Sequence, residues 1–128
     1  MVRAVKSQRP VNLDIMTFKF TPQMVASITH RISGVIIFAG MAFVIWGLGL
    51  SLQSEESFSQ LKQCLDSVIA KFIIWAILAG FIYHFVAGVR HLLMDAGYFE
   101  ELESSQALSY AVMVVSAVLI IVAGIWVW

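Results

Sequence analysis

Polar and apolar positions fall in long blocks along this chain, without the one-in-two alternation of a half-buried strand. After a mixed stretch that ends near residue 20, three runs without Asp, Glu, Lys or Arg follow: Ile32–Ser54, Phe72–Val89 and Ser104–Trp128. At about 1.5 Å per helical residue, each covers most or all of a hydrocarbon layer roughly 30 Å thick. The pattern predicts an all-α integral membrane protein with three transmembrane helices, over about 22–52, 67–96 and 105–128. Residues 1–20 form an arm, and 21–128 form one membrane domain. Thr21-Pro22 suits a helix start, since threonine caps and proline is pre-set for the first turn. Gly97 suits a helix stop. Between the first two spans, Phe58, Leu61, Leu65 and Val68 recur at spacings of three and four. They predict a short amphipathic helix on the membrane surface. Trp126 and Trp128 fall where an interfacial aromatic belt belongs.

Composition agrees with the blocks: 60% of residues are apolar and 12% charged, with a formal net charge of zero. No basic field is present to attract nucleic acid. Cys64 is the only cysteine, so no disulfide forms within the chain and no Cys-x-x-Cys-His is available for covalent haem. The first apolar run begins after Arg3, Lys6, Arg9, Lys19 and two prolines, which is not a signal-peptide pattern, so the first span is expected to be retained. Lysine and arginine also set the orientation. Arg3, Lys6, Arg9, Lys19, Arg31 and Arg90 lie on one side, and Lys62 and Lys71 on the other. The N-terminus is therefore expected in the cytoplasm and the C-terminus in the periplasm. The arm itself suits either anionic lipid or a soluble partner.

Against this background one histidine stands out. His84 lies within the second apolar run, about 9 Å along a helix axis from Arg90. Gly80, His84, Gly88, His91 and Asp95 share a helix face, and a glycine one turn above and one turn below leaves space beside the imidazole. A haem ligand and a histidine bonded to a neighbouring helix both fit this spacing. As a haem ligand, His84 needs a second axial group on the opposite face of the ring. His91 is on the same face, and His30 is expected to stand several ångströms too shallow. The second ligand is therefore expected from another chain. Ser27 and Arg31 are one helical turn apart at the boundary of the first span. A hydroxyl and a fixed positive charge there suit a quinone carbonyl that gains negative charge on reduction, and equally suit an arginine reaching lipid phosphate. His30, Arg31, Arg90 and His91 are expected to cluster at one depth, where they could pair with haem propionates or simply obey membrane topology. Asp95 either orients His91 or is a solvated helix-end acid.

The motifs Arg9-Pro10, Ser27-Ile-Thr-His30-Arg31-Ile-Ser-Gly34 and His84-x-x-x-Gly88-x-Arg90-His91-Leu92-x-x-Asp95 resemble those of the cytochrome b556 membrane-anchor subunit of proteobacterial succinate dehydrogenase. Many relatives have Ser-Pro-His after Arg-Pro, where this chain has Val11-Asn12-Leu13-Asp14. The role of that family histidine does not transfer. The resemblance implies that His84 is an axial ligand to haem b and that a sister membrane-anchor subunit supplies the other. It implies that Ser27 and Arg31 bind ubiquinone, and that His30, Arg31 and His91 lie near the haem propionates. Iron–sulfur and flavoprotein subunits would dock on the cytoplasmic face of the bacterial inner membrane, and electrons from succinate would pass to ubiquinone. The succinate site itself would lie outside this chain. A fumarate reductase anchor using a lower-potential quinone has the same architecture. A haem-free structural anchor predicts a colourless complex. A small transporter or channel needs deep polar groups on more than one helix, and by sequence only His84 qualifies.

Overall fold

The computed structural model describes Thr17 and residues 19–128. Arg9-Pro10, residues 11–14 and most of the expected arm lie outside the described residues. Four helices follow: α1 (Pro22–Ser51), α2 (Glu55–Leu65), α3 (Val68–Asp95) and α4 (Leu102–Val127). No strand occurs among the described residues. The helices α1, α3 and α4, of 30, 28 and 26 residues, are long and apolar enough to cross a membrane. The expected all-α, three-span architecture is borne out.

Local chemistry sets the helix ends. The Thr21 hydroxyl accepts the Met24 N–H at 3.4 Å, and Pro22 opens α1. At α2, Ser54 and Ser57 exchange side-chain and backbone bonds in a capping box, at 3.1 and 3.0 Å. The Ser57 hydroxyl also donates to the Leu50 carbonyl at 2.9 Å, which ties α2 to the end of α1. Gly97, at φ 85°, closes α3 as expected, with the Tyr98 N–H reaching the Leu93 carbonyl at 3.0 Å.

Two boundaries differ from the sequence expectation. Val68 does not belong to the surface helix, which stops at Leu65. Ser67 is extended and its hydroxyl accepts the Ala70 N–H at 3.3 Å, so a new helix starts and Val68 becomes its first residue. Similarly, α4 begins at Leu102, not Ser105, because the Ser105 N–H already bonds the Glu101 carbonyl at 2.9 Å.

Helix α3 packs against both α1 and α4. The apolar residues buried in the bundle are few and mostly small: Ala26, Ala87 and Val112. Large apolar side chains point outward instead, with Phe38 83% and Trp126 80% exposed. Lipid is as apolar as leucine, so close packing of small residues must hold such helices together. Gly80 lies against Ile36 so closely that a Cβ would stand 2.9 Å from Ile36 Cγ2. Gly40 meets Ile77 in the same way at 3.0 Å. Gly124 receives Trp75, whose indole N–H donates to the Ile120 carbonyl at 3.0 Å. A Gly80→Val substitution should therefore force α1 and α3 apart and cost about 1–3 kcal/mol. The expected outcome is a lower Tm for the detergent-solubilised protein; an unchanged Tm would show that the seam yields freely.

Candidate functional site

The site lies at the end of the bundle where α1 starts, α3 stops and α4 starts. Its centre is His84, half-buried on α3 and turned toward α1. Gly34 makes this approach possible, since a Cβ at that position would come within 3.2 Å of His84 Cε1. The ring is then fixed by Nδ1, which lies 3.1 Å from the His30 carbonyl oxygen and 3.2 Å from Ser33 Oγ. Ser33 donates its own proton to the same carbonyl at 2.7 Å. A carbonyl only accepts, so Nδ1 carries the ring hydrogen. In a neutral imidazole this arrangement leaves the lone pair on Nε2.

His30 stacks on His84 with ring centroids 4.0 Å apart and planes 18° apart. On its other face it meets His91, at 4.8 Å and 23°. His91 Nδ1 donates to the Ala87 carbonyl one turn back on its own helix, at 2.8 Å. His30 Nε2 is buried with no hydrogen-bond partner. Three imidazoles from two helices thus form one column. The expected depth of His30 was wrong: it touches His84, because α1 crosses α3 with the Ser33–Gly34 corner at the level of that ring. Its geometry still does not suit a second axial ligand. The His30 and His84 rings lie face to face, so their nitrogens do not point at each other across a gap.

The open face expected beside His84 is also corrected. Ile36 fills the space at Gly80, and His30 Nε2 lies 3.7 Å from where a Gly88 Cβ would stand. Within this chain the glycines therefore admit α1. Arg90 likewise leaves the expected cationic cluster. It is 4% exposed and points at α4, where Nη2 donates to Ser105 Oγ at 3.2 Å. Asp95 is exposed, and the proton of His91 Nδ1 goes to Ala87 instead. Ser27 is half-buried and Arg31 exposed. Neither side chain has a hydrogen-bond or ionic partner among the described residues.

Sequence reasoning missed Ser33 and Tyr83. Ser33 lies one turn beyond His30 inside the quoted motif, which was the available signal. The Tyr83 hydroxyl donates to the Ala26 carbonyl at 3.4 Å, a long bond between α3 and α1. Buried polar groups occur on all three long helices, including Ser33, Arg90, Ser105, Ser109 and Ser116. The sequence count of a single deep polar group was therefore too low. None of them lines the cavity of about 510 Å³ among α1, α2 and α3, which is bounded by Phe43, Leu48, Leu61 and Ile74 and is almost wholly carbon. No group of three or more His, Cys, Asp or Glu among the described residues is arranged to hold a bare metal ion. The three histidines present ring faces to one another, not converging nitrogens.

A family model for the succinate dehydrogenase/fumarate reductase transmembrane subunit matches residues 5–123. The succinate dehydrogenase cytochrome b556 subunit of Coxiella burnetii is 39% identical over 125 residues, which cover 97% of this chain and 100% of that protein. The cytochrome b556 subunit of Paracoccus denitrificans is 31% identical over 118 residues, or 89% of this chain and 88% of its own length. A cytochrome b560 subunit from Porphyra purpurea is 34% identical over 90 residues, or 69% and 72% of the two chains.

Proposed function

The chain belongs to the succinate dehydrogenase/fumarate reductase transmembrane-subunit family, and from that premise we propose that it carries one axial ligand of haem b and part of a quinone site. The observation that supports this most is the anchoring of His84. Ligating histidines donate their second ring N–H to a carbonyl or carboxylate, which fixes the tautomer and leaves the other nitrogen free to bind. His84 does this to the His30 carbonyl at 3.1 Å, in a membrane-spanning helix where an idle imidazole would be costly. Haem b, when bound, supplies one-electron storage between the soluble subunits and quinone.

The other residues have separate tasks. His84 Nε2 would hold the iron, with Nδ1 tied to the His30 carbonyl and Ser33. A sister membrane subunit would supply the second ligand, consistent with the face-to-face placement of His30. His30 and His91 line the same wall and, with Arg31, offer hydrogen-bond donors and charge to propionates. Ser27 and Arg31 hold a quinone carbonyl oxygen. The guanidinium stabilises negative charge as it develops there, and the hydroxyl gives direction. The similarity to succinate dehydrogenase subunits favours succinate as electron donor, and ubiquinone is the acceptor in this reading. On the same reading the protein lies in the bacterial inner membrane, and the distribution of lysine and arginine favours the histidine end facing the cytoplasm. Residues 1–20 would then be a cytoplasmic arm, and iron–sulfur and flavoprotein subunits would dock at that end.

Ser27→Ala tests the quinone assignment with little disturbance of packing. Loss of one hydrogen bond worth about 1.4 kcal/mol should slow quinone reduction by the complex about tenfold. Dye reduction by the soluble subunits should be unaffected. Equal losses in both assays would assign Ser27 to assembly.

A further inference from the structure

Arg90 is the buried charge that the proposed site leaves without a task. It is 4% exposed, and its one described hydrogen bond runs from Nη2 to Ser105 Oγ at 3.2 Å. Its Nε is buried with no partner. No acidic side chain pairs with it among the described residues. Because the chain itself covers it, a partner subunit has little access to the guanidinium. An uncompensated buried cation is expensive to keep, so its field is an output to be accounted for. In a medium of low dielectric that field is weakly screened.

Its position defines what the field acts on. Arg90 is six residues beyond His84 on α3, about 9 Å along the axis, and turned to α4 while His84 is turned to α1. The two functional atoms are thus on the order of 12 Å apart, given the width of a helix. We propose that Arg90 is a positioning charge that raises the reduction potential of the haem held at His84, by stabilising the electron added there. This rests on the haem reading above. A unit charge at that distance, with an effective dielectric of about 20, shifts a one-electron equilibrium by roughly tenfold. That factor corresponds to about 59 mV.

The test is a potentiometric titration of the haem in the intact complex, followed by its visible spectrum. Arg90→Gln should make the haem about tenfold harder to reduce, and Arg90→Lys should restore most of the shift. Ser105 provides a second route that keeps the arginine. Ser105→Asp places a counter-charge at its tip and should lower the potential, while Ser105→Asn should leave it near the native value. The Ser105 pair alone decides the matter if Arg90→Gln does not assemble. Equal potentials for the Asp and Asn variants, or for Arg90→Gln and wild type, overturn the proposal while leaving His84 as ligand. Equal shifts for Arg90→Gln and Arg90→Lys would assign the effect to packing and also overturn it. A native complex with no haem at all overturns both readings.

Discussion

An Arg31→Leu chain, assembled in its complex, is expected to reduce quinone about 100-fold more slowly than the native chain. The size follows from removing a charged donor aimed at developing negative charge, which typically costs two to three orders of magnitude. Arg31 is exposed and makes no bond to the described residues, so little of the fold depends on it. It differs in this from Arg90, whose removal would disturb α4. Electron transfer from succinate to an artificial dye through the soluble subunits should continue at its native rate. A parallel fall in both activities would show that Arg31 holds the complex together and has no direct role at quinone.

The second large effect is expected at His84. His84→Leu removes the nitrogen on which ligation depends, together with the bonds to the His30 carbonyl and Ser33. Haem content per complex should fall at least tenfold, since disturbing even the outer partners of a ligand costs roughly 10–100-fold in affinity. Ser33→Ala is the graded counterpart. It removes one of two anchors and leaves the carbonyl, so haem content should fall less than in His84→Leu, and the haem that remains should show a perturbed spectrum. If His84→Leu kept its full haem content, the ligand would have to be sought elsewhere.

The membrane architecture was legible in the sequence because the bilayer imposes a length and a polarity that one dimension records. Charge-free runs, a Thr-Pro start and a glycine stop were enough for α1 and α3. Spacing and motif singled out Ser27, His30, Arg31, His84 and His91 as candidates, and the fold brings the three histidines together. What the sequence could not give was the crossing of α1 over α3. That crossing depends on Gly34 meeting the His84 ring and on Gly80 meeting Ile36, contacts between residues some 50 positions apart. From helix periodicity alone the glycines beside His84 read as room for a ligand; in the fold they admit a neighbouring helix. The same crossing brings His30 to the level of His84, while Arg90, about 120° round α3 from His84 by helix periodicity, faces α4. Val68 was read into both the surface helix and the second span because an apolar residue at a three-residue spacing fits both, and only the Ser67 cap decides between them.

The most direct test of the account is the reduced-minus-oxidised visible spectrum of the intact native complex. Ligation of haem b by His84 and a histidine from a sister subunit predicts sharp green-region bands of a six-coordinate, low-spin haem. A complex that is active with succinate and shows no haem bands would contradict it.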